Sequence, residues 1–312
     1  MVESAIPVDL LNPGQVFGCL GFMEAADVLL GDAEGRFDWS DESAVRFCLR
    51  SGGEENPFSH VLGFVADSAI EQCEPFGFID MLQTEDERPA EEGETARSTS
   101  RNIQIEAYPN GAGDRMSLVI RVANTNGQRV DLGHWADGST RNEFKLYAGN
   151  RSAFSIARAM QQGTREKPKK NQQNGDVKTK GIAALFHEQR ELIIANPFGI
   201  LTLMGGSFNM DPRGAWTALD AGYSPNRHKS HGVGASPVVE FMAAWGLEHA
   251  RPDEYEIRQV RYSVWSDWLP PILARPALAG AALAIGRRSF HFTLDLSGKN
   301  KVVTFALEEP QT

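Results

Sequence analysis

Three helices in this chain are predicted by the same two-residue signal, a short polar residue followed by proline. The signal occurs at Asn12-Pro13, Asn56-Pro57 and Ser236-Pro237. The polar side chain can accept a hydrogen bond from the free N–H groups of a first helical turn. Proline fits the first helical position because its missing N–H would have no partner there. Apolar residues follow each signal at helical spacing, so we expect a helix to begin at each of these prolines.

The ends of these helices are predicted from the point where the apolar spacing stops. The first apolar face ends at Gly31, a residue type that commonly terminates helices. The spacing after the second signal continues as far as Cys73. A fourth helix is predicted from Asn150 to Gly163, with these side chains facing inward: Phe154, Ala157 and Met160.

Short β-branched or alternating runs between the helices predict strands. The clearest runs are residues 45–50, 102–108, 117–123 and 200–206. Residues 289–297 alternate strictly between apolar and polar, and a glycine-containing turn leads into a second run, which predicts a hairpin over 289–307. Strands in runs with helices between them, joined by long irregular loops, predict an α+β fold with largely antiparallel sheet.

Length and charge set limits on the organisation of the chain and on its partners. The 312 residues suffice for one large domain or two ordinary ones. The composition predicts an N-terminal α/β part over 1–83, an acidic flexible loop over 84–100 and a main α+β part over 101–312. The net charge of -10 repels nucleic acids, so contact with DNA or RNA requires a local basic patch.

The cysteines and the most apolar segment bear on location. The three cysteines stand far apart without CxxC spacing, which favours reduced thiols in a cytoplasmic protein over a disulfide framework or a zinc site. The N-terminal residues show no secretory signal pattern. Residues 269–286 are apolar but include Arg275 and three prolines, which are unfavourable in a membrane span. We expect no membrane association and no cofactor.

The strongest basic segment is residues 163–180, called the basic loop below. It carries six cationic residues: Arg165, Lys167, Lys169, Lys170, Lys178 and Lys180. Only Glu166 and Asp176 oppose them, so the local charge is +4 in an otherwise acidic chain. Flexible lysines suit contact with nucleic-acid phosphates, which is electrostatic and independent of base sequence. The alternative is a solvated surface loop without a binding role.

A second candidate contact segment covers residues 207–237. It is dense in Gly, Pro, Asn and Asp, yet it contains Phe208, Trp216 and Tyr223. Its basic residues supply a second predicted contact set: Arg227, His228 and Lys229. Aromatic rings beside cations could stack on bases. The alternative is that Trp216 and Tyr223 anchor the segment on the core.

Catalytic motifs are incomplete along the chain. HEQRE (187–191) lacks the second histidine of a zinc-protease helix, and GGSFN (205–209) lacks the closing glycine of a nucleophile elbow. GVGAS (232–236) has no preceding strand and no phosphate-binding lysine. The histidines are scattered, apart from His228 and His231, so no metal site is expected. The chain is therefore predicted to have no catalytic residues and not to be an enzyme.

Three long segments carry a resemblance to a known family. They are IPVDLLNPGQVFGCLGFMEAADVLLG (6–31), FKLYAGNRSAFSIARAM (144–160) and, within 210–252, MDPRGAWTALDAGYSPNRHKS and VVEFMAAWGLEHARP. They resemble the compact large-subunit family of type I-U (also called I-G) CRISPR effector complexes. The resemblance implies a non-catalytic subunit at the 5′-handle end of a Cascade complex in antiviral defence. Such a subunit contacts the protospacer-adjacent motif in target DNA and presents the opened site to a separate helicase-nuclease, while the guide RNA supplies sequence specificity.

The resemblance also implies partners, namely CRISPR RNA, target DNA, and the backbone and RNA-processing subunits of the same complex. The basic loop and the second contact set are assigned to nucleic-acid phosphates by charge alone. Two alternatives stay open. One is an RNA-binding backbone or processing subunit with a ferredoxin-like fold, in which His228 or His231 is the candidate general base. The other is a protein-interaction scaffold without nucleic-acid contact.

Overall fold

Antiparallel strand pairs and short helices form the part of the chain that the computed structural model describes. The described residues are 1–73, 119–132, 153–167, 175–204, 206–215, 233–281, 286–297 and 300–310. Seven helices and fifteen strands lie within these ranges. Every strand pair among them is antiparallel, which confirms the predicted α+β class.

The elements are numbered in chain order. The helices are α1 (Pro13–Leu30), α2 (Pro57–Asp67), α3 (Ala153–Gln162), α4 (Ile182–Glu188), α5 (Arg190–Ala195), α6 (Pro237–Gly246) and α7 (Pro271–Leu278). The strands are β1 (Val2–Pro7), β2 (Glu34–Asp38), β3 (Arg46–Ser51), β4 (Ala69–Cys73), β5 (Val119–Ala123), β6 (Arg129–Leu132), β7 (Thr164–Arg165), β8 (Val177–Thr179), β9 (Thr202–Leu203), β10 (Gly234–Ala235), β11 (Asp253–Glu256), β12 (Gln259–Trp265), β13 (Arg287–Ser297), β14 (Asn300–Val303) and β15 (Leu307–Glu308).

The three cap-and-proline signals are confirmed as helix starts. The Asn12 side chain accepts from the Gln15 N–H at the start of α1. Asn56 accepts from two N–H groups of α2, and Ser236 from one of α6. Gly31 follows α1 with a φ of 78°, the left-handed region that favours glycine at a helix end.

Other predicted boundaries need correction. The second helix ends at Asp67, and residues 69–73 form strand β4 instead of a further helical turn. The reason is Ser68, whose hydroxyl and N–H both bond to the Phe64 carbonyl and close the helix. The strand predicted over 200–206 is reduced to the two residues of β9. The fourth helix, α3, ends before Gly163 as predicted, with Ala157 and Met160 buried and Phe154 partly buried.

The predicted strands 45–50 and 289–297 are confirmed as β3 and β13, and β14 returns along β13 as the predicted hairpin. Strand β5 lies within the predicted run 117–123. The acidic loop 84–100 and the strand 102–108 fall outside the described residues, as do the proposed boundaries of the parts 1–83 and 101–312. Those assignments stay predictions.

The N-terminal elements follow the order β1-α1-β2-β3-α2-β4, and the first three strands form a sheet in the order β1–β3–β2. Ile6, Phe47 and Phe37 lie opposite one another across this sheet, and all three are buried against the helices. Strand β4 pairs with β5 in a separate three-stranded sheet and does not join this one. The other face of the β1–β3–β2 sheet therefore lies away from the helices.

Helix α1 lies at the centre of the core. Its first fourteen residues, Pro13 to Ala26, are all buried, as expected for a helix that is covered on every side. On one side Phe17 packs edge-on against Tyr262 of β12, with ring centroids 5.7 Å apart. On another side Phe22 packs edge-on against Phe58 of α2, with a separation of 5.1 Å. The helix thus joins the N-terminal sheet, α2 and the C-terminal sheet into one packed unit.

Helices α1 and α6 cross with their backbones in contact. A Cβ atom at Gly21 of α1 would overlap the carbonyl oxygen of Met242, and one at Gly246 would overlap the carbonyl oxygen of Phe17. Gly14 is equally restricted, because a Cβ there would overlap the Met210 carbonyl oxygen. Neither backbone can move away without disturbing the surrounding core, since interiors are close-packed. The glycines at this crossing are therefore required for steric reasons.

Further findings concern the hydrophobic segments and the cysteines. In the described part of the chain, no helix combines the length and hydrophobicity that a membrane crossing requires. In the described residues of the apolar segment that begins at Leu269, the helix is the eight-residue α7. Cys19 and Cys48 are buried with free thiols.

We expect Gly21→Ala to lower the free energy of unfolding by about 2 kcal/mol or more, because the added methyl group meets backbone atoms that cannot move aside. Gly63→Ala on α2 is the matched control, since its Cβ would meet only the tip of the Phe186 ring at 3.3 Å. Alanine's better helix propensity should keep that control within about 1 kcal/mol of the parent protein. Urea unfolding measures both, and equal stability of the two variants would contradict the steric account.

Candidate nucleic-acid interface

The basic loop has an ordered base instead of being a free linker. Strands β7 and β8 pair at its two ends, with Thr164 opposite Thr179 and Arg165 opposite Val177. The ladder continues one step further, since the Glu166 N–H donates to the Asp176 carbonyl at 2.8 Å. Residues 168–174, between the two arms, lie outside the described part. The cations nearest the base are therefore carried by a hairpin.

The hairpin follows directly from α3, whose last turn is fixed to α2 by a buried polar side chain. The Gln161 side-chain amide, at the end of α3, donates to the carbonyls of Val65 and Ser68 at the end of α2. The hydroxyl groups of Thr164 and Thr179 lie 2.8 Å apart across the two strands. Gly163 has a φ of 76°, which lets the chain turn from α3 directly into β7. The base of the basic loop is thus held in one position relative to the core.

The structure describes four of the six predicted cations of the basic loop, and all four are exposed: Arg165, Lys167, Lys178 and Lys180. Lys180 is paired with Glu188 of α4, with 2.5 Å between Nζ and the carboxylate oxygen. Within the described ranges, no carboxylate lies within ion-pair distance of Lys167 or Lys178. Lys169 and Lys170 lie outside those ranges. Arg165 donates to the Gly175 carbonyl within the hairpin, so Lys167 and Lys178 are the cations best placed to meet phosphates.

The second predicted contact set, Arg227, His228 and Lys229, lies outside the described residues together with Trp216 and Tyr223. The structure does describe the stem that leads into this segment, residues 206–215. Phe208 in the stem is buried in the core, so at least one aromatic ring of the segment anchors it. The stem ends in a short 3₁₀ turn at Pro212–Gly214, which Asp211 caps.

A buried acidic pair, Glu240 and Asp211, holds this stem. Glu240 of α6 is fully buried, and its carboxylate accepts from the N–H groups of Phe208, Met210 and Asp211 at 2.7, 3.1 and 2.9 Å. The Asp211 carboxylate accepts from the Ser236 N–H and from the Asn12 side-chain amide. The capping residues of α1 and α6 are thereby tied to the same stem.

The protonation of Glu240 is unusual for a carboxyl group. Burial raises the pKa of Glu240 to about 7, and the nearby negative charge of Asp211 acts in the same direction. The backbone N–H groups that donate to it, together with the Ser207 hydroxyl, act in the opposite direction because they favour the charged form. Burial has the largest effect on the pKa, so this group changes charge near neutral pH.

The residues that hold the stem 206–215 and the base of the basic loop were not identified from the sequence. A single acid in the otherwise apolar helix 237–246 was a usable signal for Glu240, because an acid in such a position is buried only with partners. Asp211 before Pro212 repeats the cap-and-proline signal of the three helices. Gln161 gave no signal, since its partners are backbone carbonyls about ninety residues earlier in the chain.

No protein-family model, curated protein or solved structure matches this chain. In the described residues, no three His, Cys, Asp or Glu side chains come together as a group that could hold a metal ion. What the site does must therefore be inferred from its own geometry and charge.

We expect the free energy of unfolding to decrease as the pH rises from about 4.5 to 7, because of Glu240. With a folded-state pKa of about 7 against an ordinary value of 4.5, the native state keeps a proton that the unfolded state has released. The stabilisation from that proton is complete below pH 4.5 and disappears as the pH rises through 7. One pKa unit corresponds to about 1.4 kcal/mol, so the effect amounts to about 3 kcal/mol.

Urea unfolding of the parent protein and Glu240→Gln at a series of pH values measures this effect. The variant has no carboxyl group at position 240. The difference in unfolding free energy between the two proteins should therefore change with pH over this interval and level off above it. Curves that stay parallel throughout would show that Glu240 does not titrate there.

Proposed function

We propose that this chain is a non-catalytic subunit of a CRISPR RNA-guided surveillance complex, and that the basic loop contacts the backbone of target DNA beside the protospacer. The observation that carries the proposal is a fixed hairpin that presents Lys167 and Lys178 without acidic partners among the described residues of an otherwise acidic chain. The resemblance of residues 6–31, 144–160 and 210–252 to the type I-U large-subunit family supports the same function.

The charge distribution suits a subunit that works within a complex. A net charge of -10 opposes approach to phosphates, so we expect the isolated chain to bind duplex DNA weakly. The guide RNA supplies sequence specificity, and the protein needs only to hold the duplex beside the protospacer-adjacent motif and pass it to a separate helicase-nuclease. Lysines on a fixed hairpin position the duplex without selecting its sequence, which is the role of phosphate contacts.

Replacing Lys167 and Lys178 together with Gln should weaken target binding by the assembled complex by a similar factor for every target sequence. Each lysine that meets a phosphate releases about one condensed counterion, so the slope of log affinity against log salt should flatten by about 0.9 for each phosphate interaction that the substitution removes. A salt titration of DNA affinity, with the complex purified from cells that express all its subunits, measures both effects.

The matched control removes the same charge elsewhere, by replacing Arg129 on β6 and Arg258 on the turn before β12 with Gln. This control should leave the salt slope unchanged. If the lysine variant and the parent complex have equal slopes and equal affinities, the basic loop is a solvated surface loop without a binding role.

A second candidate function is an RNA-binding or RNA-processing subunit of the same complexes. The observation that favours it is the strand order β1–β3–β2 with α1 between β1 and β2, which is three strands of a ferredoxin-like arrangement. In the full arrangement a fourth strand flanks the sheet, whereas here β4 pairs with β5. A fold alone does not assign a function, so this candidate depends on an activity.

We expect the purified chain to leave guide RNA and duplex DNA uncleaved in Mg²⁺, Mn²⁺ or Zn²⁺, because no complete set of acid, base and nucleophile is found in its motifs. The measurement is a gel assay with labelled RNA that contains the repeat sequence. Cleavage that His228→Ala or His231→Ala abolishes, while the fold is retained, would instead establish the processing subunit.

A further inference from the structure

The face of the β1–β3–β2 sheet that lies away from the helices carries a compact group of arginines. Arg46, Cys48 and Arg50 are each two residues apart on β3, so their side chains leave the sheet on the same side. Arg36 of β2 lies directly opposite Cys48 and belongs to the same face. The three arginines thus surround one position near the middle of this face, which is called the arginine face below.

One aromatic ring lies over the arginine face. The guanidinium carbon of Arg50 lies 4.4 Å from the centroid of the Trp268 ring, and that of Arg36 lies 5.1 Å from it. These distances are within the range of cation–π contact. Trp268, Arg36 and Arg50 are each partly exposed, so solvent reaches part of the layer that the ring and the two guanidinium groups form.

The position of Trp268 is fixed by the backbone next to it. Leu269 and Gly35 exchange two hydrogen bonds, of 2.9 and 3.1 Å, which attach this segment to the edge of β2. The indole N–H of Trp265 also donates to the Gly35 carbonyl, at 2.8 Å. A ring held in this way gives up little conformational freedom when a flat ligand stacks on it.

The arginine face contains one unpaired buried donor, and acids compensate its charge. The Nε group of Arg36 is buried and has no hydrogen-bond partner in the part of the chain that is described. Glu34 pairs with Arg50, and Asp38 lies 3.7 Å from Arg36. The exposed guanidinium of Arg46 donates to the Ala5 carbonyl. Glu3 of β1 lies opposite Arg50 on the same face, so three acids balance the three arginines. Attraction at this face therefore comes from stacking and hydrogen bonding and not from net charge.

We propose that the arginine face binds an unpaired segment of single-stranded nucleic acid, with a base stacked on the Trp268–arginine layer and Arg46 on the adjacent phosphate. Unpaired bases stack on aromatic rings and on guanidinium planes, and an open sheet face is a surface on which they can do so. The inference rests on the proposed function, which places the chain beside a guide RNA and an opened DNA duplex. It adds a second site whose ligand is single-stranded.

The two sites are distinguished by their dependence on salt. Contacts made by the basic loop are electrostatic, so their removal changes the salt slope. Removal of the Trp268 ring abolishes stacking, which every base can provide and which releases few counterions. Trp268→Ala should therefore lower affinity for a single strand by about tenfold or more at every salt concentration, with the slope unchanged.

The test measures binding of the full-length chain to labelled ten-nucleotide oligo(U) and oligo(dT) and to a random duplex by fluorescence anisotropy. Trp268→Phe keeps a ring and should retain most of the single-strand affinity, whereas Trp268→Ala should not. Circular dichroism shows whether Trp268→Ala is folded. If it is not, Arg46→Gln, a change at an exposed side chain, tests the arginine face instead. Tighter binding of oligo(U) than of oligo(dT) would identify the guide as the source of the strand, and the reverse would identify displaced DNA.

Unchanged single-strand affinity in a folded Trp268→Ala and in Arg46→Gln would overturn the proposal. So would a Trp268→Ala chain that keeps its affinity but no longer co-purifies with partner subunits, because the face would then be a protein contact. The double variant of Lys167 and Lys178 distinguishes the proposed role of the basic loop from that of the arginine face. If it leaves duplex binding by the complex unchanged while Trp268→Ala no longer binds oligo(U), the proposed role of the basic loop fails and the arginine face stands.

Discussion

The contact between the backbones of α1 and α6 is the constraint on which the rest of the structure depends. Glycines at both helices bring carbonyl oxygens and α-carbons into direct contact, so the two helices have one distance and one register available. From this pair α1 extends to the C-terminal sheet through Phe17 and to α2 through Phe22. The caps of both helices, Asn12 and Ser236, meet at Asp211, so the helix starts and the stem 206–215 are fixed together.

Buried polar side chains fix the points at which the two candidate contact segments leave the core. Glu240 accepts three backbone N–H groups of the stem 206–215, which otherwise has no regular structure to satisfy them. Gln161 fixes the end of α3, from which the basic loop begins, by donating to the carbonyls that end α2. Each candidate contact segment therefore leaves the core from a fixed position, although the amino acids that fix it are not the ones proposed to bind.

Local signals in the sequence predicted local structure well, and contacts between distant residues were not predicted. The three helix starts depend on neighbouring residues and were predicted, as was the alternating strand β13. The second helix was predicted too long because its apolar spacing continues past Ser68, whose hydroxyl ends it. The arginine face was missed because Trp268 meets Arg36 and Arg50 only once the chain has folded over more than two hundred residues.

The position of α1 in the core also bears on how the chain is made. The helix is buried over most of its length in the folded protein, yet its partner α6 begins at Pro237, about two hundred residues after α1 ends. At roughly 5–20 residues per second, a ribosome needs about 10–40 s to synthesise that interval. During this time α2 and the N-terminal sheet can cover part of α1, but the side of α1 that packs on α6 has no native partner. That uncovered side is a site at which the nascent chain can aggregate until α6 has left the ribosome.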